Sequence, residues 1–307
     1  MKLLIKKILI MLLILLFIDT LVSSLLITGI NRYSGINKNA LVLCTGTSRT
    51  IRAIDEKMLE QGLGVSVAQY AHHGATVYDR LQMLKIYYKE QVQPPRIVVY
   101  EIEMSMLQDI KRSQNLYARF YPYVYYKDIL EYIIISGAKW DEYVPRLFLK
   151  MMRYNDSWLI KCSILGYTNS KQKPLRGKVD LDAIQNEHVV KLSWQIDPKY
   201  LLYFEETIRL IRSNNSKLIF LYIPVINIYN NSDRINHDQM LMFFKKYAVI
   251  DKDIIVLDYN KNYEGKYELF HDLVHLNEEG RDKVTNDLIF DLKNALVDPS
   301  GSTLSSH

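Results

Sequence analysis

Two short stretches of this chain carry residue types whose spacing suits acid–base chemistry. The first is Gly46-Thr47-Ser48-Arg49-Thr50, at the end of the apolar run Ala40–Gly46. A serine between a strand and the next helix sits beside backbone N–H groups that the first helical turn leaves free, and such groups can hold an oxyanion. Gly46 lets the turn pass close to a reacting carbon. The second stretch is Phe270-His271-Asp272-Leu273-Val274-His275-Leu276-Asn277-Glu278-Glu279-Gly280. Asp272 and His275 are three apart, which puts both side chains on one face of a tight turn entering a helix. The carboxylate can then hold the imidazole Nδ1–H and leave Nε2 to take a serine proton. Each stretch alone has a plain alternative, an ordinary turn in one case and an Asp-capped surface turn in the other. Taken together they make Ser48, Asp272 and His275 a candidate catalytic triad.

The elements around them must bring two distant segments together. Ala40–Gly46, Gly64–Tyr70, Arg96–Ile102, Lys217–Ile223 and Asp253–Leu257 are short apolar runs that predict buried strands. Helical patterns fall at Thr50–Gln61, Thr76–Glu90, Tyr200–Arg212 and Leu276–Leu296. Strands alternating with helices predict an α/β fold with a parallel sheet covered on both faces, and ligands on such sheets bind at the carboxyl ends of the strands. Ser48 follows the first strand. Gly74, in His72-His73-Gly74-Ala75-Thr76, follows the second, where a turn needs such a glycine. Between about 104 and 191 the alternation fails. That stretch predicts a largely helical insertion placed to cap the site. Its Tyr117–Tyr126 cluster, Tyr121 and Tyr123 included, suits either stacking on sugar rings or packing of the insertion's own core. Arg49 is placed to bind an anionic substrate group or to be salt-bridged at a helix start.

Gly-Thr-Ser after the first strand, an α/β body, and Asp-x-x-His-Leu-Asn-x-x-Gly before the last helix resemble the SGNH (GDSL-like) hydrolase superfamily. The resemblance runs from about 40 to 297, with specific motifs only at its two ends. It implies a three-layer α/β/α fold with a central parallel sheet (SGNH/flavodoxin-like). Ser48 would be the nucleophile, His275 the general base and Asp272 its orienter, with the N–H groups of Ser48 and Gly74 in the oxyanion hole. The chain departs from the family after the third strand. Tyr100-Glu101-Ile102-Glu103-Met104-Ser105 lacks the family's asparagine donor. This departure, an N-terminal anchor and the Gly-Thr-Ser-Arg form look more like the membrane-tethered branch, which includes DltD-like proteins and the alginate and peptidoglycan O-acetylation proteins. That likeness implies acetyl or D-alanyl transfer to, or removal from, a cell-envelope polysaccharide or teichoic-acid-like acceptor, beside a multispanning MBOAT-type acyltransferase. The alternative is a non-catalytic SGNH-like scaffold or glycan-binding partner of such an enzyme. No metal or organic cofactor is required.

The N-terminus places the body. Lys2, Lys6 and Lys7 precede an apolar run from Ile8 to Ile30, long enough to span a bilayer. The positive-inside rule puts residues 1–7 in the cytoplasm, residues 8–30 in the membrane and the 39–297 body outside. A cleaved signal peptide is the competing reading, but no Ala-x-Ala site follows Ile18. Asp19, costly within such a span, is either tolerated by the Leu-rich segment or paired with a polar group on a partner membrane protein. Cys44 and Cys162 permit one disulfide, although Cys44 in its apolar run suits a buried free thiol. The net charge of +5 is too small and scattered for a nucleic-acid partner. The small polar residues of 298–307 predict a disordered tail.

Overall fold

The computed structural model describes residues 1–109, 116–182, 194–226 and 234–296. Helix α1 (Lys2–Ser34) leads to strand β1 (Val42–Gly46). Helices α2 (Ser48–Ala53) and α3 (Glu56–Leu63) precede β2 (Val67–Ala71), and α4 (Val77–Glu90) precedes β3 (Ile97–Ile102). Helices α5 (Lys127–Ile135), α6 (Trp140–Phe148) and α7 (Ser157–Tyr167) come next. They are followed by α8 (Pro198–Ser213), β4 (Lys217–Tyr222), α9 (Arg234–Ile250), β5 (Ile254–Asp258) and α10 (Glu278–Leu296). The chain divides into two compact units, Met1–Asn37 with Ser113–Lys171, and Lys38–Arg112 with Gln172–His307. The 298–307 tail, and the parts of the expected insertion at 110–115 and 183–191, lie outside the described residues.

The second unit is the expected α/β body. Its five strands form one parallel sheet in the order β2-β1-β3-β4-β5. Strand side chains alternate between two buried faces, as a doubly covered parallel sheet requires. Val42, Cys44, Val99, Ile219 and Leu221 pack with Leu59 of α3 and with Val284, Leu288 and Leu292 of α10. On the opposite face Tyr100 and Phe220 meet Phe204 of α8, and Phe244 of α9 closes the same aromatic cluster. Because β1 pairs with both β2 and β3, the chain reverses direction across the sheet at β1. The crevice between the carboxyl ends of β1 and β3 is where open parallel sheets bind ligands.

Two local expectations are corrected. The single helix expected over Thr50–Gln61 is two helices. Asp55 interrupts it, its side chain accepting the N–H of Met58 at 3.0 Å to start α3. The first piece begins at Ser48, with Thr47 as its N-cap. Helix α9 has no counterpart among the expected elements. Its buried His237, Met240, Leu241 and Phe244 show the three-to-four spacing of one apolar face.

In the first unit, α1 is 33 residues long and apolar enough to cross a membrane. Its large apolar side chains from Leu3 to Ile18 are exposed. Its C-terminal half packs on α7 through small residues. A Cβ on Gly29 would stand 2.8 Å from Ser163 Cα, and one on Gly166 would stand 2.8 Å from the Gly29 carbonyl carbon. Close approach through glycine and serine is how apolar helices pack without a hydrophobic driving force.

Asp19 has its partners inside the chain. Its carboxylate accepts the backbone N–H of Lys150 at 3.0 Å and of Met151 at 2.8 Å, at the start of a 3-10 turn over Lys150–Tyr154. The acidic residue in the apolar helix is thus a cap for a segment far along the chain, an arrangement beside the two expected for it. Asp19→Leu strands two donors and should cost about 1–3 kcal/mol. Limited proteolysis of the full chain in detergent should then cut faster between Trp140 and Tyr154. Asp19→Asn, which keeps one acceptor oxygen, should recover part of the loss. Unchanged cleavage in Asp19→Leu would contradict the capping role.

Candidate active site

The end of β1 is shaped by a carboxylate beneath it. Glu101, the fifth residue of β3, is 1 % exposed. It accepts hydrogen bonds from Thr47 N (2.7 Å), Thr47 Oγ1 (2.8 Å), Thr50 Oγ1 (2.6 Å) and Thr50 N (3.2 Å). Arg49 Nε lies 3.9 Å from it, and fully buried Arg80 donates to its backbone carbonyl at 2.7 Å. Burial pushes the Glu101 carboxyl upward. The arginines and the Thr50 and Thr47 donors outweigh this and hold it below the usual carboxylate range. Gly46 permits the arrangement, since a Cβ there would stand 2.6 Å from Glu101 Cβ and collide with its carboxylate and with Thr50.

This turn presents Ser48 as the first residue of α2. Thr47 Oγ1 takes the Arg49 N–H at 3.2 Å, and Glu101 takes those of Thr47 and Thr50. Among the described residues, the Ser48 N–H is the one in this turn left without an acceptor.

The second segment forms a turn closed on itself. Asp272 Oδ1 accepts the N–H groups of Val274 (2.9 Å) and His275 (2.8 Å). Its Oδ2 lies 2.8 Å from His275 Nδ1. Asn277 ties the turn to α10, because its Oδ1 accepts the Gly280 N–H at 3.0 Å while its Nδ2 donates to the carbonyls of Glu268 and Gly177. Gly280 must be glycine here, since a Cβ would run into the Leu269 carbonyl. Most of the Asp-x-x-His-Leu-Asn-x-x-Gly pattern therefore fixes the position of one imidazole.

The two segments meet. His275 Nε2 lies 2.9 Å from Ser48 Oγ. A serine, an imidazole and a carboxylate in this order can move a proton from hydroxyl to ring while the carboxylate steadies the cation. Burial raises the Asp272 carboxyl, but the hydrogen bonds from the His275 ring and the two N–H groups prevail and hold it at about 2. A depressed acid of this kind stabilises the fold above the free value of about 4, and the contribution is lost as pH falls toward 2.

A cleft of about 200 Å³ opens over this pair, lined by Ser48, Arg49, Gly74, Glu103, Ser105 and Val274 among others. Gly74, at φ 72°, stands in its wall, and no acceptor for its N–H occurs among the described residues. Ser105, after β3, stands in the same wall. Arg49 lines the cleft with its guanidinium engaged. It sits 3.9 Å from Glu103 and 5.2 Å from the centre of the Tyr222 ring, and it donates to the Ile223 carbonyl. His72 and His73 face elsewhere, His72 edge-on to Tyr70 and His73 bonded to Gln172. Among the described residues no group of three His, Cys, Asp or Glu side chains is placed to hold a metal. Cys44 and Cys162 are both free and buried.

Tyr121 and Tyr123 belong to the first unit, where they are 1 % and 2 % exposed. Arg146 packs over the Tyr121 ring at 4.4 Å, and the Tyr123 hydroxyl donates to Asn31 Oδ1 at 2.6 Å. Their faces are covered by protein, which corrects the expectation that they stack on a sugar.

No family model matches the sequence, and no curated protein matches it. Among solved structures the fold is similar to an acylhydrolase from Bacteroides fragilis (TM-score 0.39, 11 % identity, 82 % of this chain and 86 % of that one). It is also similar to a GDSL-like lipase from Bacteroides thetaiotaomicron (TM-score 0.40, 12 % identity, 83 % and 90 %). A third is the acetyl xylan esterase Est2A from Butyrivibrio proteoclasticus (TM-score 0.37, 9 % identity, 83 % and 63 %). The functional reading is carried by the side-chain geometry.

Proposed function

We propose that this chain is a membrane-anchored serine esterase or O-acyltransferase of the SGNH type, acting outside the cytoplasm through an acyl-Ser48 intermediate. The observation that supports it is the Ser48–His275–Asp272 relay, with contacts of 2.9 and 2.8 Å, at the mouth of a cleft. Ser48 Oγ attacks the acyl carbonyl while His275 Nε2 takes its proton. The N–H groups of Ser48 and Gly74 receive the oxyanion, and the Ser105 hydroxyl in the cleft wall is a candidate third donor. Collapse expels the leaving alkoxide, which takes the proton from His275. A sugar hydroxyl or water then attacks the acyl-serine, giving its proton to His275, which returns it to Ser48. Asp272 stays ionised throughout.

Lys2, Lys6 and Lys7 before the apolar part of α1 support a cytoplasmic N-terminus, and the lack of an Ala-x-Ala site after Ile18 supports an uncleaved anchor. The acceptor that fits such a location is a cell-envelope glycan or teichoic-acid-like polymer, and the partner beside it a multispanning acyltransferase of the MBOAT type. The alternative, a non-catalytic scaffold, draws on the asparagine missing after the third strand and on Asp19, and the Asp19 carboxylate is engaged within the chain.

A fluorophosphonate probe on the full chain tests the reading. It should label Ser48 in the wild type and leave Ser48→Ala unlabelled. Asp272→Asn should lower kcat on an acetyl ester by about 10³–10⁴-fold, because the amide holds the imidazole in the wrong tautomer. Wild-type turnover in Asp272→Asn would remove the relay from the mechanism.

A further inference from the structure

The first unit exposes a second apolar surface besides α1. Trp140, Leu147, Phe148, Leu149, Met151 and Met152, in α6 and the turn after it, are all exposed, Trp140 by 72 % and Phe148 by 74 %. Side chains of this size clustered on one short segment mark an interaction surface.

Three observations say what covers it. The segment is pinned to α1 at a known height. Asp19 holds the N–H groups of Lys150 and Met151, and Lys150 Nζ reaches Thr20 Oγ1 at 3.3 Å. Along a helix, Ile8 to Asp19 is roughly 17 Å, just past the middle of a hydrocarbon core of roughly 30 Å. A span that starts at Ile8 therefore carries Asp19, and the turn bound to it, into the inner edge of the outer leaflet of the same bilayer.

The backbone at this turn is also satisfied from within. Asp19 takes the two N–H groups. Arg153 Nε donates to the Arg146 carbonyl at 2.8 Å and its Nη2 to that of Leu147 at 3.4 Å, while Arg146 donates to the Glu142 carbonyl. Turns in water carry such partners too, as at Asp272, but irregular backbone at membrane depth requires them, because lipid offers no hydrogen bonds. Finally, the surface has the make-up of an interface belt, with Trp140 beside aliphatic and thioether side chains and Lys150 extending along α1.

We propose that Trp140–Met152 is seated in the outer leaflet of the bilayer that α1 crosses, so that the insertion is a second membrane contact. The partner is phospholipid. The proposal rests on α1 as a span and is independent of the chemistry at Ser48.

The test uses the full chain in vesicles of mixed zwitterionic and anionic phospholipid. Trp158→Phe with Trp194→Phe leaves Trp140 as the sole tryptophan. Its emission should be blue-shifted, resist acrylamide, and lose most of its intensity when the lipids are brominated in the upper acyl chain. Acrylamide quenching without bromolipid quenching overturns the proposal. So does protection from both quenchers, which would put protein over the surface. Phe17→Trp, with all three native tryptophans changed to Phe, reports α1 by the same readout. If it is quenched by bromolipid and Trp140 is not, the seating fails and the span stands. If neither is quenched, both fail. Should the tryptophan variants not fold, a spin label on Phe148→Cys gives the same answer, because Cys44 and Cys162 are buried. Greater accessibility to oxygen than to a water-soluble nickel chelate is the expected result, and the reverse overturns it.

Discussion

Ser48→Ala is expected to lower kcat/KM on an acetyl ester by about 10⁴-fold or more while the melting temperature of the full chain stays within a degree or two. The rate loss follows from removing the atom that forms the covalent bond. What remains is what the oxyanion donors and bound water can do, and single deletions in a serine relay leave about that residue of activity. The fold should survive because Ser48 is only half-buried, and its hydroxyl bonds to His275 rather than to any element of the core. The Thr47 cap and the Glu101 contacts use other atoms of the turn and stay in place. His275→Ala should fall by a similar factor, and the double variant by little more than either single one, since the two groups act as one unit. Near wild-type turnover in Ser48→Ala would refute the proposed acyl-serine.

How far the sequence showed this in advance depended on whether a residue's partner was local. The strands were legible because a doubly covered parallel sheet needs unbroken apolar runs, as in Lys217–Tyr222, and those stand out in any window. Asp272 and His275 were legible as a pair because their partnership lies within one turn. Their meeting with Ser48, 227 residues away, could be expected only from the order of elements and a family likeness. Arg49 stood out as a residue but not in its setting, since Glu101 and Tyr222 come to it from β3 and β4 and Glu103 from the loop after β3. Asp19 was conspicuous, yet its partners are the backbone of a segment 131 residues on, and backbone donors leave no trace in residue types. The aromatic cluster was ambiguous by nature, because stacking surfaces and packed cores use the same side chains. One signal was present and went unread. Glu101 lies in Arg96–Ile102, an otherwise apolar run assigned to a buried strand. A carboxylate there has to be paired, and the two threonines and two arginines it gathers were all in the sequence.

Those pairings make Glu101→Gln the substitution with the largest expected effect on stability, about 3–5 kcal/mol. The amide has nearly the same shape, so no cavity forms. Its NH2 group, however, must face donors that the carboxylate accepted: the N–H and hydroxyl groups of Thr47 and Thr50. Arg80, with no exposed surface, and Arg49 keep Glu103 at 3.2 and 3.9 Å but lose the second of their two nearby counter-charges. Breaking a buried pair from one side carries this cost because the surviving charge remains desolvated. The loss should appear in thermal unfolding of the full chain and also in turnover, because the same bonds aim Ser48 at His275. The pH dependence has a definite sign. Glu101 is held below its free value, so its contribution is complete above about 4.3 and disappears as pH falls through the lower folded value. Glu101→Gln should therefore flatten the acid limb of the stability curve. Gly46→Ala attacks the same contact from the other side by pushing a methyl group into the carboxylate. Combined with Glu101→Gln it should cost less than the sum of the two, since neighbouring changes that disrupt one arrangement are not additive. A Glu101→Gln protein that melts like the wild type would mean that the serine turn is held by the backbone of β1 alone.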